Sequence, residues 1–148
     1  MRLYDFRTEY RENPIGITEK APRFSWKIES DEKDTLQTSY EIKVTDENGK
    51  LVWDSGKKIS DQSVLISYEG EALADETFYT VEVTVADNHG NVESVEGSFE
   101  TGIFNQTEFK AQMITSDFPE DETACPVFGK TFAIDKKVKK ACLYATAH

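Results

Sequence analysis

Tyr79-Thr80-Val81-Glu82-Val83-Thr84-Val85 decides the fold. Tyr79, Val81, Val83 and Val85 alternate with Thr80, Glu82 and Thr84, the period of two expected of a strand with one buried and one wet face. The same period recurs in Phe24, Trp26 and Ile28, and again in Tyr40, Ile42 and Val44. Turn signals separate these runs: Asn48-Gly49, Asp54-Ser55-Gly56, Glu69-Gly70, Asn88-His89-Gly90 and Gly97. Asn-Gly between alternating segments favours a hairpin because both residues tolerate positive φ. Helical spacing is almost absent. Asp31-Glu32-Lys33-Asp34 reads as a charged loop, and Glu108 to Ile114, with Phe109 and Met113 four apart, reads as a turn or a short strand. These features predict an all-β, antiparallel β-sandwich.

Working outward, Leu73, Thr77, Tyr79, Val81, Val83 and Val85, closed by Asp87 and Gly90, resemble the E–F corner and F strand of fibronectin type III domains. Tyr79 would then bond back through its hydroxyl to the preceding loop. Trp26 after Pro22, and Tyr40 in the next strand, are similar to the B-strand Trp and C-strand Tyr of that fold, and all three are expected in the core. The fibronectin type III-like sandwich is assigned to residues 1–104. Residues 105–124 read as a linker, since Asp117-Phe118-Pro119-Glu120-Asp121-Glu122-Thr123 is acidic and aperiodic. Val127 to Ile134 and Val138 to Ala145 read as the first strands of an incomplete second β-sandwich over 125–148. Two strands make no stable sheet alone. Such a tail is expected to be open to proteases or to self-associate through its edges.

The chain has 148 residues with 28 acidic and 17 basic side chains, a net charge of −11. All of that excess lies in residues 1–104, which hold 22 acids and 11 bases, while 105–148 hold 6 of each. Nucleic-acid binding through a basic surface and docking on anionic lipid are both disfavoured. The densest apolar run, Val64-Leu65-Ile66, is far too short to span a bilayer. Met1 to Arg7 carries charge without an apolar core, so no signal peptide is read and a cytoplasmic location is expected. Cys125 and Cys142 are too few for a disulfide scaffold and are expected to be buried or idle thiols.

Chemistry-bearing patterns are sparse. Glu69 with Glu71, and Glu120 with Glu122, read as solvated surface, because a general acid needs burial or a close like charge to raise its pKa. His89 and His148 stand apart from one another and from the cysteines, so no metal and no cofactor is expected. No phosphate-cradling glycine loop and no nucleophile elbow occur. Asn105-Gln106-Thr107 has the form of a glycosylation acceptor and is read as a chance match.

Longer stretches resemble one enzyme family. Phe6-Arg7-Thr8-Glu9-Tyr10-Arg11-Glu12-Asn13-Pro14-Ile15-Gly16-Ile17, Ala21-Pro22-Arg23-Phe24-Ser25-Trp26 and Gln37-Thr38-Ser39-Tyr40-Glu41-Ile42 are similar to the N-terminal sandwich of bacterial α-L-rhamnosidases. So are Val52-Trp53-Asp54-Ser55-Gly56-Lys57, Ser60-Asp61-Gln62-Ser63 and Phe99-Glu100-Thr101-Gly102. Pro126-Val127-Phe128-Gly129-Lys130-Thr131-Phe132 and Val138-Lys139-Lys140-Ala141-Cys142-Leu143-Tyr144 resemble the opening of the family's next sandwich. The chain departs from the family at Phe109 and Met113, where Trp is usual. The resemblance implies a parent that removes terminal α-L-rhamnose with inversion, using two carboxylates of a helical barrel that has no counterpart here. No catalytic residue is therefore assigned to this chain. It is expected to be a non-catalytic, accessory module whose partners are the later domains of the parent. The alternative is a carbohydrate-binding module for rhamnose-containing glycosides, with Trp53 and Phe78 as stacking residues because neither lies in the core-facing registers above. A generic adhesion sandwich is disfavoured by the absence of repeat or anchor.

Overall fold

A computed structural model describes residues 1–105, 110–117, 125–138 and 140–145. The chain divides into two units, Met1–Lys110 and Ala111–His148. The described residues of the first unit carry eight strands: β1 (Arg2–Thr8), β2 (Arg23–Glu29), β3 (Gln37–Asp46), β4 (Leu51–Asp54), β5 (Lys58–Ile59), β6 (Ile66–Ser67), β7 (Phe78–Asp87) and β8 (Val92–Glu100). They form two antiparallel sheets, β1-β2-β6 and β4-β3-β7-β8, with β5 added to β3. This is the all-β sandwich expected, and it contains no helix among the described residues.

The period-two runs face the core as read. Phe24, Ile42, Val44, Val81, Val83 and Val85 are fully buried, and Trp26 and Tyr79 nearly so. Tyr40 is half-buried with its ring set edge-on against Trp26, centroids 5.5 Å apart. At the corner before β7, the Ala74 N–H donates to the Tyr79 hydroxyl at 2.8 Å, as the resemblance implies. Buried Thr101 closes the same corner, donating its hydroxyl to the Ala74 carbonyl at 2.6 Å and accepting from the Thr77 N–H at 3.0 Å. Each such bond contributes about 1 kcal/mol net. The indole N–H of Trp26 donates to the buried Gln37 side-chain carbonyl at 3.0 Å. The Gln37 amide in turn donates to the Ser60 and Gln62 carbonyls at 3.0 and 2.8 Å. That relay ties β2, the start of β3 and the segment before β6 together with no buried donor of these groups wasted.

Two expectations are corrected by the structure. Gly97 lies inside β8, paired with Val81, and marks no turn. A Cβ there would overlap the ring of Phe6, so the glycine provides a slot for an aromatic side chain from the other sheet. Trp53 pairs with Val44, so it shares the core-facing side of its sheet and packs on the core. In the second unit the described residues of 125–145 form no strand, and the alternating side chains Phe128, Phe132 and Ile134 are exposed. Neither cysteine is in a disulfide, and both are exposed rather than buried.

β1 also breaks the simple period. Its register with β2 shifts between Tyr4 and Arg7, and Asp5 takes φ 51°. This bulge puts Leu3, Phe6 and Thr8 inward; an unbroken strand would bury Asp5 and Arg7 behind Leu3 instead. Acidic Asp117 to Thr123 and the pair Glu120 and Glu122 lie wholly or partly outside the described residues, as do His148, two positions of Asn105-Gln106-Thr107 and part of Glu108 to Ile114. The chain's glycine slot gives a test. Gly97→Ala should destabilise the sandwich by about 1–3 kcal/mol in urea unfolding, and Phe6→Leu in that background should recover part of the loss; additive losses would show that the two residues do not compete for space.

Candidate functional site

The two stacking residues expected from sequence do not share a surface. Trp53 is half-buried, 6.2 Å from the Phe24 ring and 5.2 Å from that of Tyr68. The hydroxyl of Tyr68 donates to the Glu71 carbonyl at 2.7 Å, and burial pushes its pKa up to about 12. A Cβ on Gly70 would strike both Trp53 and Tyr68, so this corner is tightly closed. Phe78, next to inward Tyr79 and opposite Glu100, points from the outer face of the same sheet and is 39% exposed. Trp53 and Phe78 thus lie on opposite faces, and no single sugar ring can touch both. Of the acidic pair on the described surface, Glu71 is in an ion pair with Lys50, both well exposed.

A different cluster stands out at the end of β1. Thr8 and Arg11 exchange two backbone hydrogen bonds of 2.9 and 3.0 Å around the two-residue turn Glu9-Tyr10. Both turn residues have positive φ, 47° and 67°, the sign pattern of a type I′ turn. Asn-Gly is the usual choice there, because other side chains crowd the following carbonyl at a cost of about 1–2 kcal/mol per residue. Thr8, immediately before, is fully buried, and its hydroxyl is without a hydrogen-bond partner among the described residues. Local structure is therefore held in place from outside.

The clamp is Arg23, the first residue of β2. Its guanidinium donates from Nε to Glu9 Oε1 at 2.9 Å and from Nη2 to Glu9 Oε2 at 2.6 Å. The backbone N–H of Arg23 adds a third bond to Glu9 Oε1 at 2.8 Å, and the Glu9 N–H donates back to the Arg23 carbonyl at 3.0 Å. The side-chain hydrogen bonds from Arg23 hold the Glu9 carboxyl below its ordinary value against the opposing effect of burial. Arg23 also lies over the Tyr10 ring, 5.6 Å from its centre, while Tyr10 as a residue stays 63% exposed.

Two clefts meet at Tyr10. One, of about 320 Å³, is lined by Asp5, Arg7, Tyr10, Ser25, Trp26, Lys27 and Val64. The other, of about 350 Å³, is lined by Glu9, Tyr10, Arg11, Gly16, Ile17, Thr18 and Glu19. Within the first, Asp5 accepts from Arg7 Nε and from Lys27 Nζ, both at 2.7 Å, and Arg7 Nη1 donates to the Tyr10 carbonyl at 3.1 Å. The hydrogen bond from Lys27, with that from Arg7, keeps the Asp5 carboxyl low. Charge is distributed unevenly too: residues 1–27 hold 6 bases and 4 acids within a module that is strongly acidic elsewhere. Among the described residues no group of three or more His, Cys, Asp or Glu side chains could hold a metal ion. Nothing in composition marks Glu9-Tyr10 as a turn, so the sequence offered no signal for this cluster beyond the quoted family stretch that contains it.

Because the folded-state pKa of Glu9 is lowered from 4.5, its contribution to stability is complete above that pH and lost as pH falls through the folded-state value. Glu9→Gln is therefore expected to lower stability at pH 7 and to flatten its fall under acid, measured by urea unfolding across pH 7 to 2. Parallel wild-type and variant curves over that range would contradict the clamp.

Comparison with known proteins agrees with this architecture. A 128-residue stretch is 33% identical to an α-L-rhamnosidase of Streptomyces avermitilis, covering 82% of this chain and 12% of that protein. The crystal structure of Streptomyces avermitilis α-L-rhamnosidase complexed with L-rhamnose superposes with TM-score 0.69 at 33% identity, over 74% of this chain and 11% of that one. The α-L-rhamnosidase from Dictyoglumus thermophilum gives TM-score 0.67 at 36% identity, over 74% and 13%. The chain thus spans about an eighth of the length of these relatives. Residues 3–105 match the family model described as Rha78A-like, N-terminal immunoglobulin domain, and the chain belongs to that family.

Proposed function

We propose that the chain is the non-catalytic N-terminal module of a longer α-L-rhamnosidase. Its relatives carry that name, and the chain covers only a small share of each. The observation that carries the non-catalytic reading is electrostatic. Inverting glycoside hydrolysis needs one carboxyl held protonated as a general acid and another poised to activate water. Asp5, Glu9, Asp46 and Asp87, the described carboxyls whose acidity is clearly altered, are all held low, the direction opposite to that of a general acid. They are engaged by Lys27, Arg23, turn backbone and Asn91, groups that fix loops rather than reach toward a substrate.

As a module, residues 1–105 would give the enzyme an ordered first domain. The stretch beyond it offers apolar side chains to whatever follows: Val127 is 94% exposed and Leu143 91%, with Phe132 and Ile134 also exposed. Exposed apolar rows of this kind are suited to burial against another surface. In the parent they would join the later domains. The purified chain is expected to release no chromophore from an aryl α-L-rhamnoside, and hydrolysis above a buffer blank would refute the non-catalytic reading. In the parent enzyme, deleting residues 1–110 is expected to lower the melting temperature by roughly 5 °C while kcat/KM of the folded fraction persists; loss of kcat at unchanged melting temperature would assign the module a part in catalysis.

A further inference from the structure

We infer that the open half of β8, Val92 to Glu96, is a docking edge that takes an extended, lysine- or arginine-bearing segment of a second polypeptide as an added strand. The backbone comes first. Ser98 and Glu100 donate their N–H groups away from β7, to the Asn13 side-chain oxygen and the Pro14 carbonyl, each at 2.9 Å, and the Glu100 carbonyl accepts from the Ile17 N–H at 3.0 Å. Pairing with β7 runs without a register shift from Glu100 to Val92. Val92, Ser94 and Glu96 therefore share that parity and direct their own N–H and C=O groups away from β7. Among the described residues nothing pairs with these outward groups. The chain thus closes one half of the edge with residues 13–17 and leaves the other half open, where Val92, Glu93, Ser94 and Glu96 are all exposed. Long edges are usually blunted by lysine, proline or a bulge, and β8 has none of the three.

Charge then selects the guest. One cross-strand row on the outer face of the sheet runs Asp54, Lys43, Glu82 and Glu96, each opposite the next on β4, β3, β7 and β8. It holds one cation among three carboxylates, and Lys43 is also drawn to Glu41, 3.2 Å away. Because Glu96 directs its backbone away from β7, Glu82 and Glu96 form a non-hydrogen-bonded pair, the kind in which side chains lie closest, and like charges there destabilise. A cation opposite Glu96 on an added strand neutralises the end of that row. A second copy of this chain would bring the same carboxylates to the contact, so like charge opposes self-pairing. The other positions follow from the register. Opposite Ser94, whose hydroxyl is joined to that of Thr84 at 2.8 Å, a small polar side chain fits; Val92 and Val95 call for apolar ones, and Glu93 for a second cation. An antiparallel guest therefore reads Lys-Val-Thr-Lys-Val, with backbone bonds supplying affinity and the lysines specificity.

This inference does not rest on the hydrolase reading and fails separately from it. The probe is the peptide Lys-Val-Thr-Lys-Val, acetylated and amidated to remove its terminal charges, titrated into the 148-residue chain and followed by amide chemical shifts. Saturable shifts are expected at Val92 to Glu96 below about 5 mM peptide. Affinity should fall roughly tenfold between about 0.02 and 0.5 M salt, and at least about tenfold when both lysines of the peptide are replaced by glutamate. Ser94→Pro removes one outward N–H and leaves the ladder with β7 in place, so the fold should persist and the shifts disappear. Glu96→Lys gives Glu82 an opposite charge: its melting temperature should hold or rise while affinity for the cationic peptide drops at least about tenfold. Absence of saturable shifts at about 5 mM, equal affinity for the acidic peptide, shifts confined to other strands, or undiminished binding by Glu96→Lys would overturn the proposal. So would sedimentation showing the chain alone to be a dimer that Ser94→Pro dissociates, because a second copy would then be the occupant.

Discussion

The space between the two sheets is filled by rings, and the slot above Gly97 determines how they fit. Phe6 enters it from β1, stacks 5.9 Å from Phe24, and Phe24 in turn lies 6.0 Å from Phe99 and 6.2 Å from Trp53. Tyr79 stacks on Phe99 at 5.1 Å and carries its hydroxyl to the corner. Much of the rest follows from Phe6. For it to face inward three positions after Leu3, β1 must bulge at Asp5. The bulge turns Asp5 and Arg7 outward, where they meet Lys27, and the inward Thr8 sets the start of the turn that displays Tyr10. A packing requirement at the centre of the sandwich thereby positions polar groups on its surface.

How legible this was in the sequence depended on whether one residue type had one meaning. Val81, Val83 and Val85 could face only one way, and Tyr79 with its neighbours specified a corner as well as a strand. Gly97 had two meanings, a turn or a place of close approach, and only the position of Phe6 distinguishes them. β1 was hidden because its bulge breaks the period of two that reveals strands. Trp53 misled for a related reason: β4 has only four residues and its pairing with β3 shifts register beside it, so face cannot be counted from the preceding strand. The turn at Glu9-Tyr10 carried no Gly, Asn or Asp, the residues by which such turns announce themselves. It is held by Arg23, fourteen positions away from Glu9, a relationship that local reading does not reach.

The two units of the chain differ in the same physical terms. In the first, every alternating run finds a second sheet or a ring to cover its apolar face. In the second, Phe128, Phe132, Ile134 and Val138 repeat the pattern with exposed side chains. Apolar alternation is therefore necessary for a sheet and insufficient for one, since strand pairing depends on a partner surface. Charge follows the division as well: the acidic excess surrounds a closed sandwich, and the later residues, balanced in sign, present apolar side chains.

The ring-filled sandwich of residues 1–105 accounts for the cooperative stability of this chain. Native-state hydrogen exchange of the 148-residue chain tests this. Amides of β3 and β7 are expected to exchange only through global unfolding, at the free energy given by urea, while those of residues 125–138 and 140–145 exchange near unprotected rates. Protection of the latter amides to the same free energy as Val81 and Val83 would contradict the account.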